Sequence, residues 1–203
     1  MIGIIDYGLG NISAISNIYT KLKIENTIVN TIEDFDTSEK FILPGVGAFD
    51  SAINLLYKSN FVSEIHKQIF VKKKKILGIC VGMQIFAKNS SEGKTLGLKW
   101  FNANVKKINQ QSRNNLRLPH MGWNSIKITS NDLLLRDLED SEYFYFCHSY
   151  YFNCINQKNV LAITNYGHEF PSIIKNENIY GIQFHPEKSH DSGVKILKNF
   201  ALL

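Results

Sequence analysis

The stretch Lys75-Ile76-Leu77-Gly78-Ile79-Cys80-Val81-Gly82-Met83-Gln84 constrains this chain more than any other. It reads as a short buried strand, a G-x-C-x-G turn and a helix entered at Val81. Two glycines allow a sharp reversal and a close backbone approach, so the side chain at the apex stands clear of the sheet. This is the nucleophile-elbow pattern, with Cys80 where hydrolases put serine. A helix N-terminus at that place favours thiolate over thiol. A packing cysteine on a glycine-rich turn would look the same, so the remaining residues have to separate the two.

Apolar runs of strand length alternate with helical spacing on the way to this turn. Residues 2–5 are a strand, followed by the turn Asp6-Tyr7-Gly8-Leu9-Gly10-Asn11. Ile12, Ile15, Tyr19 and Leu22 then fall at helical spacing, with Asn11 as N-cap. Residues 27–30 and 40–43 are further strands, the latter closed by Pro44-Gly45-Val46-Gly47. A helix follows from about Ala48, and another carries Phe61, Ile65 and Ile69. Strand and helix in alternation predict an open, mostly parallel central sheet with helices on both faces. Ligands then bind beyond the carboxyl ends of the strands, where Gly8, Gly47 and Cys80 all fall. Gly8-x-Gly10-x-x-Ser13 lacks the third glycine of a dinucleotide fingerprint, and no acid ends the next strand, so no nucleotide cofactor is expected. The second half is richer in strands, at 143–146, 160–164, 172–174 and 179–184, with 105–108 as another. Residues 118–124, Leu-Pro-His-Met-Gly-Trp-Asn, read as a rigid surface loop on which His120 has no obvious partner and Trp123 suits a contact anchor. A last helix puts Val194, Leu197 and Ala201 on one face.

At 203 residues and 44% hydrophobic content the chain can bury one full core, so residues 1–203 are expected to form a single domain. A net charge of +5 invites nucleic acid, but the basic residues are scattered except for Lys72-Lys73-Lys74-Lys75, which reads as a solvated helix end. Cys80, Cys147 and Cys154 are an odd number without framework spacing, which points to a reducing compartment. The first residues reach a charge at Asp6 and read as a strand rather than a signal peptide. No apolar run approaches membrane-spanning length, and a soluble, cytoplasmic protein is expected.

A nucleophilic cysteine needs a base, and the base an orienter. His185 and Glu187 supply both from Gln183-Phe184-His185-Pro186-Glu187-Lys188-Ser189. At i and i+2 of an extended segment they would share a face, with Pro186 keeping the segment out of a helix. A metal site at His185-x-Glu187-x-x-His190 is disfavoured because the proline spoils the helical arrangement, and no metal is expected. Attack on an acyl carbon creates an oxyanion that wants backbone N–H donors. Val81 N–H is one candidate. The other is the peptide at Val46, whose flanking glycines let an N–H turn inward.

Taken in order, Pro44-Gly45-Val46-Gly47-Ala48-Phe49, Gly78-Ile79-Cys80-Val81-Gly82-Met83-Gln84, Pro119-His120-Met121-Gly122-Trp123-Asn124, His148-Ser149-Tyr150 and the His185 segment resemble the class I (triad) glutamine amidotransferases. Within these the chain is most similar to the glutaminase subunits of imidazole glycerol phosphate synthase. The resemblance implies a flavodoxin-like amidotransferase fold with extra antiparallel strands in the second half. It implies that Cys80 attacks the side-chain amide of glutamine, that His185 protonates the leaving ammonia, and that Glu187 orients His185. Gly47, Gln84, Ser149 and Tyr150 match positions that hold glutamine. Asn11, Trp123 and Lys188 match positions facing a (β/α)8-barrel cyclase partner, which uses the ammonia to make imidazole glycerol phosphate and an aminoimidazole carboxamide ribotide in histidine biosynthesis. Lys99-Trp100-Phe101-Asn102 is bulkier than the usual glycine-rich turn, and residues 112–115 are unusually polar. Paralogous subunits feed ammonia to the amidation of cell-surface sugars, and stand-alone cysteine hydrolases share the fold. The filled triad argues against a non-catalytic binding module.

Overall fold

Continuous apolar strands joined through helices leave the first half little choice but parallel β-α units. In the computed structural model, which describes residues 1–109 and 116–203, these are β1 (Ile2–Ile5), α1 (Ile12–Lys21), β2 (Asn26–Val29), α2 (Asp34–Thr37), β3 (Lys40–Gly45), α3 (Phe49–Lys58), α4 (Val62–His66), β4 (Lys75–Cys80) and α5 (Val81–Gln84). The second half adds β5 (Ala103–Lys107), β6 (His120–Ser125), β7 (Lys127–Ile128), β8 (Tyr143–His148), β9 (Tyr150–Cys154), β10 (Val160–Asn165), β11 (Glu169–Asn176), β12 (Ile179–Ile182) and α6 (His190–Leu202). Eight strands form one sheet in the order β2-β1-β3-β4-β12-β11-β10-β7. The pairs from β2 through β12 are parallel, and β11, β10 and β7 run antiparallel beyond them. The open, mostly parallel sheet with added antiparallel strands is therefore the one expected. Among the described residues no helix is long and apolar enough to cross a membrane.

β1 and β12 are buried at every residue and β4 at all but its first, as befits parallel strands covered on both faces. Gly78 and Gly181 face each other across β4 and β12. A Cβ on Gly78 would meet the Phe86 ring, and one on Gly181 would meet Met83. The paired glycines thus hollow the sheet where α5 sits down on it.

Several local expectations change. β3 continues through Pro44 and Gly45, which pairs with Cys80. Proline is tolerated there because β1 pairs with β3 only as far as Ile42, leaving no partner on that side. Residues 120–125, expected within a loop, form β6, antiparallel to β8 with His120 opposite His148. Their short, polar, glycine-broken sequence hides a strand that draws its stability from this pairing. β9 has no sequence counterpart among the expected strands, being masked by Tyr-Tyr-Phe-Asn-Cys directly after β8. Asn11 holds the N-cap position of α1 without a side-chain capping bond. On α6 the buried stripe is Gly193, Ile196, Leu197 and Phe200, with Val194 and Ala201 only half-buried at its edge. Phe61, Ile65 and Ile69 are buried as expected, but α4 widens after His66 into a π-helical turn (Lys67–Val71).

Within the bulky segment at 99–102, half-buried Trp100 stacks on Phe86 at 4.8 Å and buried Phe101 meets Phe152 edge-on at 5.5 Å, while Lys99 and Asn102 are exposed. The polar residues 112–115 lie outside the described residues. Lys72 and Lys73 are exposed, in keeping with a solvated helix end, while Lys74 reaches back to the Ser38 carbonyl at 2.6 Å.

Candidate active site

Cys80 ends β4 with φ 53° and ψ −112°, a strained backbone for a residue with a Cβ. The sheet tolerates it because Gly78 and Gly82 let the chain turn at once into α5. That helix is only four residues long, so its dipole lends the sulfur less than a full helix would. Cys80 is almost fully buried and borders a cavity of about 400 Å³.

β12 lies beside β4 and delivers the base. His185 is buried, and its Nδ1 lies 3.0 Å from Glu187 Oε1, whose side chain is 2% exposed. The expected extended segment is instead a 3-10 turn (Pro186–Lys188) after an extended His185. Proline fits the first helical position, where no N–H is needed, and the turn folds the carboxylate back onto the ring. Ser189 Oγ donates to the His185 carbonyl at 2.6 Å and accepts from Tyr145 N–H at 2.9 Å, tying the turn to β8. With Nδ1–H donating to Glu187, Nε2 is left for Cys80. Burial pushes the His185 imidazole down, but the sulfur, by charge and hydrogen bond, and then Glu187 outweigh it and raise the group to about 10.

The cavity gathers most of the expected residues. Val46, Gly47, Val81, Gln84, Ser149, Tyr150 and Lys188 line it with Cys80 and His185. Glu92, not foreseen, also lines it, held by Phe49 N–H donating to Oε2 at 2.9 Å. An isolated acid among Ser, Gly and Lys offers no sequence signal for that placement. Gln183 was missed too: it is wholly buried, with Nε2 3.7 Å from Cys80 Sγ. A glutamine inside the apolar run 179–184 was the available clue.

Of the residues matched to a partner face, Trp123 and Lys188 share the Tyr145 ring. Trp123, 47% exposed on β6, stacks on His190 at 5.0 Å and meets Tyr145 edge-on at 6.2 Å. Lys188 Nζ lies 5.6 Å from the Tyr145 ring. Asn11 stands exposed before α1. His190 therefore turns to Trp123 rather than joining His185 and Glu187, and no group of three ligating side chains that could hold a metal ion occurs among the described residues.

His120 does have a partner. Its Nδ1 meets His148 Nε2 at 3.0 Å, and its ring stacks on Tyr166 at 4.0 Å. Burial pushes His120 down to about 4, and burial together with the neighbouring His120 pushes His148 down to about 3. Unfolded histidines take up a proton near pH 6.5, so between that pH and about 4 the unfolded chain binds more protons than the native one. Stability should fall as pH drops through this window. The urea midpoint is expected to be lower at pH 5 than at pH 6.5, with a shallower decline in His148→Gln. A decline as steep in the variant as in the wild type would mean that His148 does not stay neutral.

The glutamine amidotransferase class-I family model matches residues 3–203. Imidazole glycerol phosphate synthase subunit HisH of Leptospira borgpetersenii is 48% identical over 204 residues, covering 100% of both chains. Its namesake from Leptospira interrogans is 44% identical with the same coverage. A crystal structure of a glutamine amidotransferase superposes with a TM-score of 0.73 at 19% identity, over 100% of this chain and 99% of that one, a likeness of fold. On the family match across nearly every residue and these full-length relatives, the chain belongs to the class-I glutamine amidotransferases.

Proposed function

We propose that residues 1–203 act as one cytoplasmic glutaminase domain, the ammonia-supplying subunit of an imidazole glycerol phosphate synthase. The observation that carries this is that Cys80 and His185 line one cavity, with the Glu187 carboxylate 3.0 Å from His185 Nδ1 and the sulfur and the carboxylate together raising the imidazole pKa. Cys80 attacks the side-chain amide carbon of glutamine as the thiolate. Val81 N–H and the peptide at Val46 receive the oxyanion. His185 gives its Nε2 proton to the departing ammonia, leaving a thioester on Cys80, and then takes a proton from the water that releases glutamate. Gly47, Gln84, Ser149 and Tyr150 form the walls for glutamine, and the Glu92 carboxylate suits its α-ammonium group. Exposed Trp123 and Met121 on β6 suit docking of a (β/α)8-barrel cyclase, with Lys188 and Asn11 also facing it, and ammonia passes to the barrel. A stand-alone hydrolase would have no use for that exposed apolar pair.

Size measurement of the chain with and without the barrel protein, together with glutamate release, tests this. Co-elution and glutamate formation are expected. Glutamine hydrolysis by a chain that never joins the barrel would overturn the subunit assignment. Within the triad, His185→Ala should lower kcat/KM for glutamine by ~10⁴ or more. Glu187→Gln should cost only about 10²-fold, because a Gln Oε1 still accepts the Nδ1–H while the charge favouring imidazolium is gone. Wild-type rates in Glu187→Gln would remove Glu187 from the triad.

A further inference from the structure

Besides His185, Cys80 has a neighbour that the chemistry above leaves unused. Gln183 Nε2 lies 3.7 Å from Cys80 Sγ, and Gln183 Oε1 accepts from Gln84 Nε2 at 3.0 Å. Gln84 Nε2 also donates to the Tyr150 carbonyl at 2.8 Å. The same carbonyl lies 2.8 Å from His148 Nδ1. Beyond His148 come His120 at 3.0 Å and then Asn124, whose Nδ2 is 3.2 Å from His120 Nε2. A continuous, largely buried path thus runs from β6 to the nucleophile.

One assignment of protons satisfies every link. A carbonyl only accepts, so the Gln84 atom facing Tyr150 is nitrogen. The Gln183 atom facing that nitrogen is then oxygen, and the Gln183 nitrogen is left for the sulfur. On the other branch His148 Nδ1 carries the proton that meets the carbonyl. Burial keeps both rings neutral, so His148 Nε2 is bare and accepts from His120 Nδ1–H. His120 Nε2 in turn accepts from Asn124, whose Nδ2 also donates to the Asn165 carbonyl at 3.0 Å. A charged His148 would set two N–H groups against each other and break the path.

We infer that Gln183 is a positioning residue for the nucleophile, its amide N–H aimed at the Cys80 sulfur by a proton-ordered network anchored on the buried His120–His148 pair. The role rests on the glutaminase function proposed above. The N–H stabilises and orients the thiolate before attack, and the bond weakens once the sulfur becomes a neutral thioester.

The test uses the assembled complex and four variants. Gln183→Leu removes the donor at similar volume, and Gln183→Glu keeps the shape but offers oxygen. His148→Gln keeps one donor and one acceptor, whereas His148→Leu keeps neither. The readouts are kcat and KM for glutamine, the melting temperature, and the rate of Cys80 alkylation by iodoacetamide at neutral pH, followed by mass on the Cys80 peptide. Gln183→Leu should lower kcat by ~10–10²-fold with little change in KM, the loss of one hydrogen bond to a charged atom. Cys80 alkylation should slow about tenfold on the same grounds, with Gln183→Glu slower still. His148→Gln should keep most of the activity that His148→Leu loses. Wild-type kcat and alkylation in Gln183→Leu would overturn the inference, and so would a change confined to KM. Equal losses in His148→Gln and His148→Leu would sever the histidine pair from the network. If the wild-type complex releases no glutamate, the glutaminase function fails, while the alkylation rates still decide whether Gln183 holds the sulfur.

Discussion

Cys80→Ala is expected to lower glutamine-dependent turnover of the assembled complex by ~10⁴–10⁶-fold, the scale seen when a nucleophile is removed from a triad. Synthesis from added ammonium salt should be unchanged. On the proposed chemistry the thiolate is needed to release ammonia and not to use it, so the two activities should separate at this residue. Both rates measured on one preparation decide the matter. Equal loss of both would assign Cys80 to folding or assembly, a real alternative given that it sits nearly buried at the end of a central strand.

The second large effect concerns the partner. The lone chain is expected to be a poor glutaminase, and the barrel protein with its nucleotide ligand should raise the rate by ~10²–10³-fold, the value of one oxyanion donor. The peptide at Val46 lies in a wall of the cavity between two glycines, with Val46 39% exposed and free of the packing that would hold one orientation. Docking then selects the orientation that points an N–H at the oxyanion. The two glycines are not equivalent probes of this. A Cβ at Gly45 would press on Gly82 N, Tyr7 Oη and the Val81 carbonyl carbon, so Gly45→Ala disturbs the elbow itself. Gly47 has φ +87° with open space around its absent Cβ, so Gly47→Ala spares the elbow and tests backbone freedom, with KM for glutamine reporting any crowding of the cavity wall that Gly47 forms. It should blunt the stimulation roughly tenfold, from the cost of about 1–2 kcal/mol for a side chain in the left-handed region. A lone subunit already running at the full rate would mean that the oxyanion donors are preformed.

Much of this architecture is legible in the sequence, and the parts that are not have physical causes. Strands with unbroken apolar runs, such as β1 and β4, announce themselves because both faces are covered. β6 does not, since His120, Gly122 and Asn124 earn their place through β8 and through hydrogen bonds to distant residues. The elbow and the His185 segment were readable because each is a compact pattern with one chemistry. The 3-10 geometry of Pro186–Lys188 was not, as proline suits an extended chain and a first helical turn equally. Glu92 was invisible as a site residue because its neighbours in space are remote in sequence, and Gln183 because its one clue, a polar side chain in an apolar run, does not say which distant residue it faces. Gln183 and Cys80, for instance, are 103 residues apart.

That separation carries a consequence for how the protein is made. β12, which leads into His185, is inserted beside β4 long after β4 itself has been made. A ribosome must therefore continue from Cys80 to His185 before the sulfur can meet its imidazole. Nascent and prematurely terminated chains carry the cysteine without the base that arms it. On the proposed chemistry, competence for hydrolysis arrives only once β12 has paired with β4.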